Sequence, residues 1–182
     1  MGSQSQESQA RMTLVWREEA LTRAHDRKRF DCGEPSLNDY LVRFARQNHE
    51  SGGAKTFVAV PPDEPIRILG YYSLSPASLT YARTPAIVRR GLGRYEVPVF
   101  RLARLATDLS MQGQGLGGQL LIAAGMRCLA VATQVGGVAL LIDAISERAA
   151  QWYASYGAVP LQDAPLSLIL PLAVIEKLAV KR

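Results

Sequence analysis

Cysteine and histidine are scarce in this sequence, with two of each: Cys32, Cys128, His25 and His49. They lie far apart and show none of the short ligand spacings that metal sites use, so the sequence predicts no bound metal. Two cysteines could form one disulfide at most. We expect two buried, reduced thiols instead, as in a cytoplasmic protein.

Long apolar runs are also missing. No uninterrupted run approaches the roughly 18 apolar residues of a membrane span. The opening segment, MGSQSQESQARM, is polar and lacks the apolar core of a secretory signal. We therefore expect a cytoplasmic chain that makes no membrane contact. The sequence predicts a disordered tail over 1–11, followed by a single domain over 12–182.

Positive charge is concentrated in one stretch. The chain carries a net charge of +5, and the segment 81–105 alone accounts for this value. It contains one acid, Glu96, against six arginines: Arg83, Arg89, Arg90, Arg94, Arg101 and Arg104. Arginine is the residue that grips phosphate in a bidentate manner. The stretch is either a solvated face or a surface for a phosphate-rich partner.

The hydrophobic pattern predicts a mixed α/β fold. The second half alternates strand and helix, which favours a partly parallel sheet with packed helices, and the first half contains an antiparallel hairpin. In the first helix, Ser36 is expected to cap the N-terminus, and an apolar stripe should run from Leu37 to Ala45 through Phe44. The predicted strands are 12–16, 55–60, 66–75, 97–108, 136–144 and 166–171; the predicted helices are 36–50, a short one within 85–94, 116–131, 146–157 and one from 172.

The glycine-rich stretch MQGQGLGGQL, residues 111–120, lies between a strand and a helix. Such turns hold phosphate, because free N–H groups and the positive end of the helix dipole converge there. A Walker A loop is excluded, since Gln119 and Leu120 stand where it needs Lys and Ser or Thr. A dinucleotide fingerprint matches Gly113, Gly115 and Gly118 literally, but the turn lies past the middle of the chain. A purely structural turn also stays open.

A third interpretation comes from a resemblance to the GNAT N-acetyltransferases. Gln112-x-x-Gly115-x-Gly117 resembles their signature, and WYASYGA (152–158) resembles their second conserved segment, in the expected order. The resemblance implies acetyl-CoA as co-substrate, with Tyr153 as general acid to the leaving sulfur, although an isolated tyrosine is more often a core residue. It also implies a binding site for acetyl-CoA on the strand and the turn: Leu105, Ala106, Thr107, Gln112, Gly113, Gln114, Gly115, Leu116, Gly117 and Gly118.

The segments FDCGEPSLNDYLVRFARQN, GYYSLSPAS and VPVFRLARLATD resemble one branch of that family, the acetyltransferase toxins of bacterial toxin–antitoxin modules. The resemblance implies a GNAT fold, with a central mixed sheet of about six to seven strands and helices on both faces. It further implies acetylation of the α-amino group of aminoacyl-tRNA, which blocks translation, a ribbon-helix-helix antitoxin and a homodimer. The alternatives are acetylation of a small-molecule amine or a protein N-terminus, and a catalytically silent module.

The residues fit an α-amine acceptor. Neither histidine lies near the two motifs, and an α-amino group with a pKa of about 7.7–8.0 needs less help from a base than lysine does. Arg89, Arg90 and Arg94 are our first candidates for contacts with tRNA phosphates. Three further basic residues come second: Arg27, Lys28 and Arg29. Arg101 and Arg104 lie on a strand and are either structural or contact a CoA phosphate.

Overall fold

The computed structural model describes residues 13–181 of the chain. The tail predicted over 1–11 therefore lies outside the described residues, as do Met12 and Arg182. Within 13–181 the chain forms seven strands and six α-helices. The strands are β1 (Arg17–Ala20), β2 (Lys55–Val60), β3 (Gly70–Leu79), β4 (Val97–Thr107), β5 (Ala139–Asp143), β6 (Val159–Leu161) and β7 (Ala164–Pro171). The helices are α1 (Pro35–Asp39), α2 (Ala45–Ser51), α3 (Ala86–Arg89), α4 (Leu116–Val135), α5 (Glu147–Ala154) and α6 (Leu172–Val180).

All seven strands belong to one sheet in the order β1-β2-β3-β4-β5-β7-β6. The pairing of β4 with β5 is parallel, and the other pairings are antiparallel. The predicted mixed α/β class and strand number are thus confirmed. The parallel pair forms because α4 carries the chain back across the sheet between these two strands.

Side chains alternate between the two faces of the sheet, and helices cover both. On one face, Leu140 and Ile142 of β5 share a core cluster with residues of α4, α5 and α6. On the other face, α1 and α2 pack over β2 and β3, and α3 covers a separate cluster that includes Leu141. We refer to these as the α4 face and the α1 face.

Helix α4 is the central helix of the core. Leu116, Leu120, Leu121, Ala124 and Cys128 are at most 2 % exposed and belong to the main cluster. Among the described residues, α4 is the one helix that is long and apolar enough to cross a membrane. Buried core helices share that composition. Both cysteines are buried free thiols, as predicted, and burial raises the pKa of Cys128 to about 12.

The first strand is not where the apolar pattern predicted it. Residues 13–16 are outside any strand, and β1 consists of the charged segment Arg17–Ala20 at the edge of the sheet. Leu14 and Trp16 instead pack their side chains against the core, and the Trp16 indole N–H donates to the Gln119 side-chain oxygen. An edge strand has one neighbour and tolerates charge, so apolar content was a poor guide.

The first helix also differs from its prediction. It begins at Pro35, a residue favoured at the first helical position, and Glu34 occupies the N-cap position. The Ser36 hydroxyl donates to the Glu34 carboxylate at 3.1 Å instead of capping the helix. A π-helical turn over Tyr40–Phe44 separates α1 from α2. Its extra residue rotates Phe44 out of the predicted stripe, and Phe44 is 49 % exposed.

The remaining boundaries shift by a few residues. Helix α4 continues past the predicted 131 to Val135, where Gly136 (φ 86°) ends it. Strand β3 begins and ends four residues later than predicted. Strand β6 was missed altogether, because three residues with Pro160 at their centre give no strand pattern.

Candidate functional site

The central feature of the site is an opening between β4 and β5. Their parallel pairing covers only Phe100–Leu102 against Leu140–Ile142. Ala103 has no partner on β3, since Ser73 pairs with Arg104 and Leu74 with Leu102. This bulge bends β4 away from β5. The residues that follow on each strand line a cavity of about 530 Å³. On the β5 side, the backbone groups of residues 103–107 have no strand partner within the described chain.

The cavity brings together ten of the predicted site residues. These are Leu105, Ala106, Thr107, Gln112, Gly113, Gly115, Leu116, Gly117, Gly118 and Tyr153. Gln114 lies outside the lining: its side-chain amide donates to the carbonyl oxygen of Ser110 at 2.9 Å. The glycine turn and the second motif, 40 residues apart in sequence, therefore share one cavity, with α4 and α5 contributing neighbouring parts of it.

Three glycines of the turn meet two different constraints. Gly113 (φ 77°) and Gly115 (φ 87°) have left-handed backbones, and a Cβ at either position would meet no atom within 4 Å. The turn thus needs glycine for its conformation and leaves open space beside it. Gly117 is helical, and its Cβ would lie 3.4 Å from Cζ2 of Trp152. Since Gly115 is the N-cap of the 20-residue α4, the free N–H groups at the helix start border the cavity.

The turn is held rigidly to the segment that precedes α1. The Gln112 amide donates to the carbonyl oxygens of Cys32 at 2.9 Å and Thr107 at 3.2 Å. Asp108 accepts from the Asp31 N–H at 3.1 Å and from the Ser110 N–H and hydroxyl. Those hydrogen bonds hold the pKa of the Asp108 carboxyl below its usual range, against partial burial. Gln112 is therefore an anchor of the turn as well as part of its lining.

Tyr153 is positioned by the N-capped helix α5. The Ser146 hydroxyl accepts from the Ala149 N–H at 3.1 Å, which fixes the start of the helix. The tyrosine ring packs edge-on against Trp152, with 4.9 Å between ring centroids, and is 8 % exposed. Its hydroxyl makes no hydrogen bond to any described residue. Burial raises the pKa of Tyr153 above its usual range, so the phenol is protonated at neutral pH.

No histidine lines the cavity within residues 13–181. His25 is buried elsewhere: its Nε2 donates to Glu19 at 3.0 Å, because its Nδ1 accepts from the Thr22 N–H. His49 accepts from the Thr56 N–H at 3.0 Å, and burial lowers its pKa. The carboxylates that line the cavity are Glu34 and Asp143.

Two arginines of the basic stretch have acidic partners. Arg83 pairs with Asp163 at 2.7 Å, and Arg101 pairs with Asp143. The surplus of positive charge predicted for that stretch is therefore smaller in the folded protein. The two aspartates that neutralise its arginines lie outside residues 81–105. Arg104 lines the cavity and stacks on Tyr40, 4.8 Å from the ring centroid.

The first-choice tRNA candidates lie together on the surface at α3 and the loop after it. Arg89 stacks on Tyr81 at 5.1 Å from the ring centroid, and Arg90 and Arg94 are exposed. Arg89 and Arg90 line a shallow depression with Ile87. In the second group of candidates, two of the three residues bond to other parts of the protein. Arg27 donates to the Val42 carbonyl at 2.6 Å, and Arg29 pairs with Glu64.

Comparisons with known proteins agree with this geometry. No protein-family profile matches the chain. A tRNA-acetylating toxin of Mycobacterium tuberculosis is 38 % identical over 150 residues, which cover 82 % of this chain and 88 % of the toxin. A probable toxin TacT of Sinorhizobium fredii is 27 % identical over 162 residues, covering 85 % of this chain and 89 % of that protein.

The solved structure of AtaT complexed with acetyl-methionyl-tRNA superimposes with a TM-score of 0.83 at 30 % identity, covering 91 % of this chain and 99 % of AtaT. A tyrosine-to-phenylalanine mutant of KacT matches with a TM-score of 0.82 at 28 % identity, covering 90 % of this chain and 98 % of KacT. The chain belongs to the tRNA-acetylating toxins. The predicted toxin branch and its fold are thereby confirmed.

One side of the cavity was not predicted from the sequence. Cys32, Glu34 and Leu37, from the segment around the start of α1, line it. These residues belong to the FDCGEPSL segment that carried the resemblance, yet their positions suggested no chemical role. Only folding brings them within reach of the turn, 80 residues later in sequence. Within 13–181, no three His, Cys, Asp or Glu side chains gather as metal ligands would.

Proposed function

We propose that this protein transfers the acetyl group of acetyl-CoA to the free α-amino group of aminoacyl-tRNA and thereby blocks translation. One observation carries the proposal: in a tRNA-acetylating toxin, a single cavity joins a phosphate-binding type of glycine turn to the hydroxyl of a buried tyrosine, which has no hydrogen-bond partner among the described residues. Solved complexes of the relative AtaT contain acetyl-CoA.

The residues present suit acetyl-CoA. The left-handed glycines and the start of α4 offer N–H groups to a pyrophosphate, and the space beside the glycines is open. The unpaired edge of β4 at Leu105, Ala106 and Thr107 can bond the amides of the pantetheine arm, as a neighbouring strand would. We assign this binding to the whole predicted set, with Gln112 and Gln114 acting mainly by holding the turn. Acetyl-CoA would supply the activated thioester.

Tyr153 is the general acid in this proposal. Its raised pKa keeps the proton on the phenol until a stronger base, the leaving thiolate, appears beside it. The site around it has no histidine within the described residues, so the acceptor amine must arrive neutral or lose its proton to water or to a cavity carboxylate. An α-amino group, with a pKa of about 7.7–8.0, meets this condition more readily than a lysine side chain.

The tRNA is bound through Arg89, Arg90 and Arg94, which lie on the same side of the sheet as α3. The exposure of Arg90 and Arg94, and the lack of ion pairs of all three arginines among the described residues, support contacts with the phosphate backbone. We further propose a single acetyltransferase domain over 12–182 and a homodimer in the bacterial cytoplasm. A ribbon-helix-helix antitoxin would neutralise the toxin, and no metal would be needed. The AtaT–AtaR and KacTA complexes with DNA support a toxin–antitoxin context.

The decisive experiment is mass spectrometry of tRNA-linked amino acids after incubation of the protein with acetyl-CoA and total charged tRNA. We expect N-acetylated aminoacyl-tRNA. Acetylation of free amines or of protein N-terminal peptides, with charged tRNA unchanged, would favour the alternative acceptors instead. Sedimentation analysis of the purified toxin checks the homodimer.

A further inference from the structure

The cavity has two sides of different character. Tyr153, Trp152 and the glycine turn border it on the α4 face of the sheet. Cys32, Glu34 and Leu37 border it on the α1 face, where Cys32 and Leu37 belong to the cluster under α1. The gap between β4 and β5 connects the two sides.

The acceptor has to approach from the α1 face. The glycine turn and the start of α4 occupy the opposite face, where acetyl-CoA would lie. On the α1 face, the exposed Arg104 stacks on the buried ring of Tyr40, and Glu34 is half-buried. The basic surface at α3 lies on this same face, since Val88 packs in the cluster beneath it. An acceptor bound there can reach into the cavity without displacing a helix.

Glu34 is the carboxylate on this side that has no cationic partner among the described residues. Its one side-chain partner there is the Ser36 hydroxyl, at 3.1 Å. Asp143, the other carboxylate of the cavity, is held by Arg101 and by the Ser167 hydroxyl at 2.9 Å. A half-buried carboxylate without a cation favours a positively charged ligand beside it.

The backbone holds Glu34 in a fixed position relative to the turn. Its carbonyl oxygen accepts from the N–H groups of Leu37 and Asn38, both at 3.1 Å. Two residues earlier, the Cys32 carbonyl accepts from the Gln112 amide at 2.9 Å, and the Cys32 N–H donates to the Asn38 side chain at 3.0 Å. Glu34 is thus tied through Cys32 to the turn that would hold acetyl-CoA.

We propose that the Glu34 carboxylate binds the α-amino group of the aminoacyl-tRNA acceptor and selects for it. The inference rests on the proposed function. Near neutral pH this amine is partly an ammonium ion, and an ammonium–carboxylate hydrogen bond is among the stronger kinds. The contact distinguishes a free amine from a blocked or missing one and places the nitrogen on the open side of the thioester. From the scale of hydrogen bonds to charged groups, it is worth about 10- to 100-fold in affinity.

The test is a binding measurement without acetyl-CoA, so that no turnover occurs. Three forms of one tRNA are compared: aminoacylated, deacylated, and α-hydroxyacylated by nitrous acid deamination. The unmodified protein is expected to bind the aminoacyl form about 10- to 100-fold more tightly than the α-hydroxyacyl form. The variant Glu34→Gln should bind both forms equally. Glu50→Gln, on α2 and ion-paired with Arg46 at 2.7 Å, removes the same charge away from the cavity and should keep the preference.

The contrary outcomes are distinct. If Glu34 serves no acceptor, removing its negative charge should tighten binding of every tRNA form by weakening phosphate repulsion. A preference for the aminoacyl form that survives in Glu34→Gln, or that is absent from the unmodified protein, overturns the inference. Glu34→Asp keeps the charge and provides a second test should the glutamine variant unfold; it should retain part of the preference. Failure of the unmodified protein to acetylate charged tRNA would instead refute the proposed function.

Discussion

The glycine turn, residues 111–118, and the basic surface at Arg89, Arg90 and Arg94 are built in opposite ways. The turn is tied to a distant segment by the side chains of Gln112 and Asp108, and its conformation requires positive φ at two glycines. The basic surface has few internal bonds: Arg90 and Arg94 are exposed, and the half-buried Arg89 donates to the Tyr81 carbonyl at 3.5 Å and stacks on its ring. We expect the first region to act through backbone geometry and the second mainly through charge.

This difference has energetic consequences. A preorganised backbone site loses its function when one residue changes, because no neighbouring residue can supply the same N–H groups. A charged surface loses function gradually, since each phosphate contact adds a similar, salt-screened increment. A single mutation at the turn should therefore abolish its function. At the basic surface, the loss of function should grow with the number of charges removed.

The largest expected effect comes from Gly115→Glu. The left-handed backbone (φ 87°) is strained by any side chain, and a carboxylate placed in the open space beside it would repel the pyrophosphate. Calorimetry should detect no binding of acetyl-CoA. Gly52→Glu is the matched control, because Gly52 has φ 84°, has no atom within 4 Å of its Cβ position, and ends α2 away from the cavity. Equal loss of affinity in both variants would mean that backbone strain, and not the site, is responsible.

Tyr153→Phe should reduce turnover by about 10²- to 10⁴-fold, the usual contribution of general acid catalysis. Affinity for acetyl-CoA and the melting temperature should stay nearly constant, since the ring and its packing against Trp152 remain. Cells expressing the variant should grow where the parent toxin arrests them. Tyr156→Phe removes the other tyrosine hydroxyl of the cavity lining. If that variant loses turnover and Tyr153→Phe does not, the general acid has been assigned to the wrong residue.

Replacing Arg89, Arg90 and Arg94 together by glutamine should weaken tRNA binding without abolishing it. Up to three phosphate contacts would be lost, which should flatten the log–log salt dependence of the affinity by about two to three units. Acetyl-CoA affinity should not change. A triple variant of arginines that are ion-paired elsewhere removes equal charge and serves as the control: Arg17, Arg23 and Arg46. An unchanged salt slope in the first variant would assign this surface to another partner, such as the antitoxin.

The smallest effect is expected from Ser146→Ala, which removes the N-cap of the helix that carries Tyr153. Loss of a capping hydroxyl costs about 1 kcal/mol, or about 2 to 4 °C in melting temperature for a chain of this size. Ser155→Ala is the control, because the Ser155 hydroxyl bonds the Trp152 carbonyl at the other end of α5. If thermal unfolding of Ser146→Ala matches that of the unmodified protein, the cap does not stabilise α5.

The amino-acid sequence by itself determined the regular elements and the two motifs. Apolar alternation and helical periodicity are local properties, so α4, β5 and β7 could be predicted within a few residues. The glycine turn could also be predicted, because a run of glycines directly before a helix is typical of a phosphate-binding turn. The edge strand β1 and the three-residue β6 were not, because their pairing depends on a neighbour rather than on their own hydrophobicity.

Only the tertiary structure decided which charges remain available and which residues share the cavity with the glycine turn. Asp143 and Asp163 neutralise arginines that are 42 and 80 residues away in sequence, so the net charge of a segment could not predict the charge of its surface. The gap between β4 and β5 arises from a bulge at Ala103, which has no signature in sequence. That gap brings Glu34 to the same cavity as Tyr153. Pairing and burial are long-range properties of the folded chain, whereas propensity and motif are local ones.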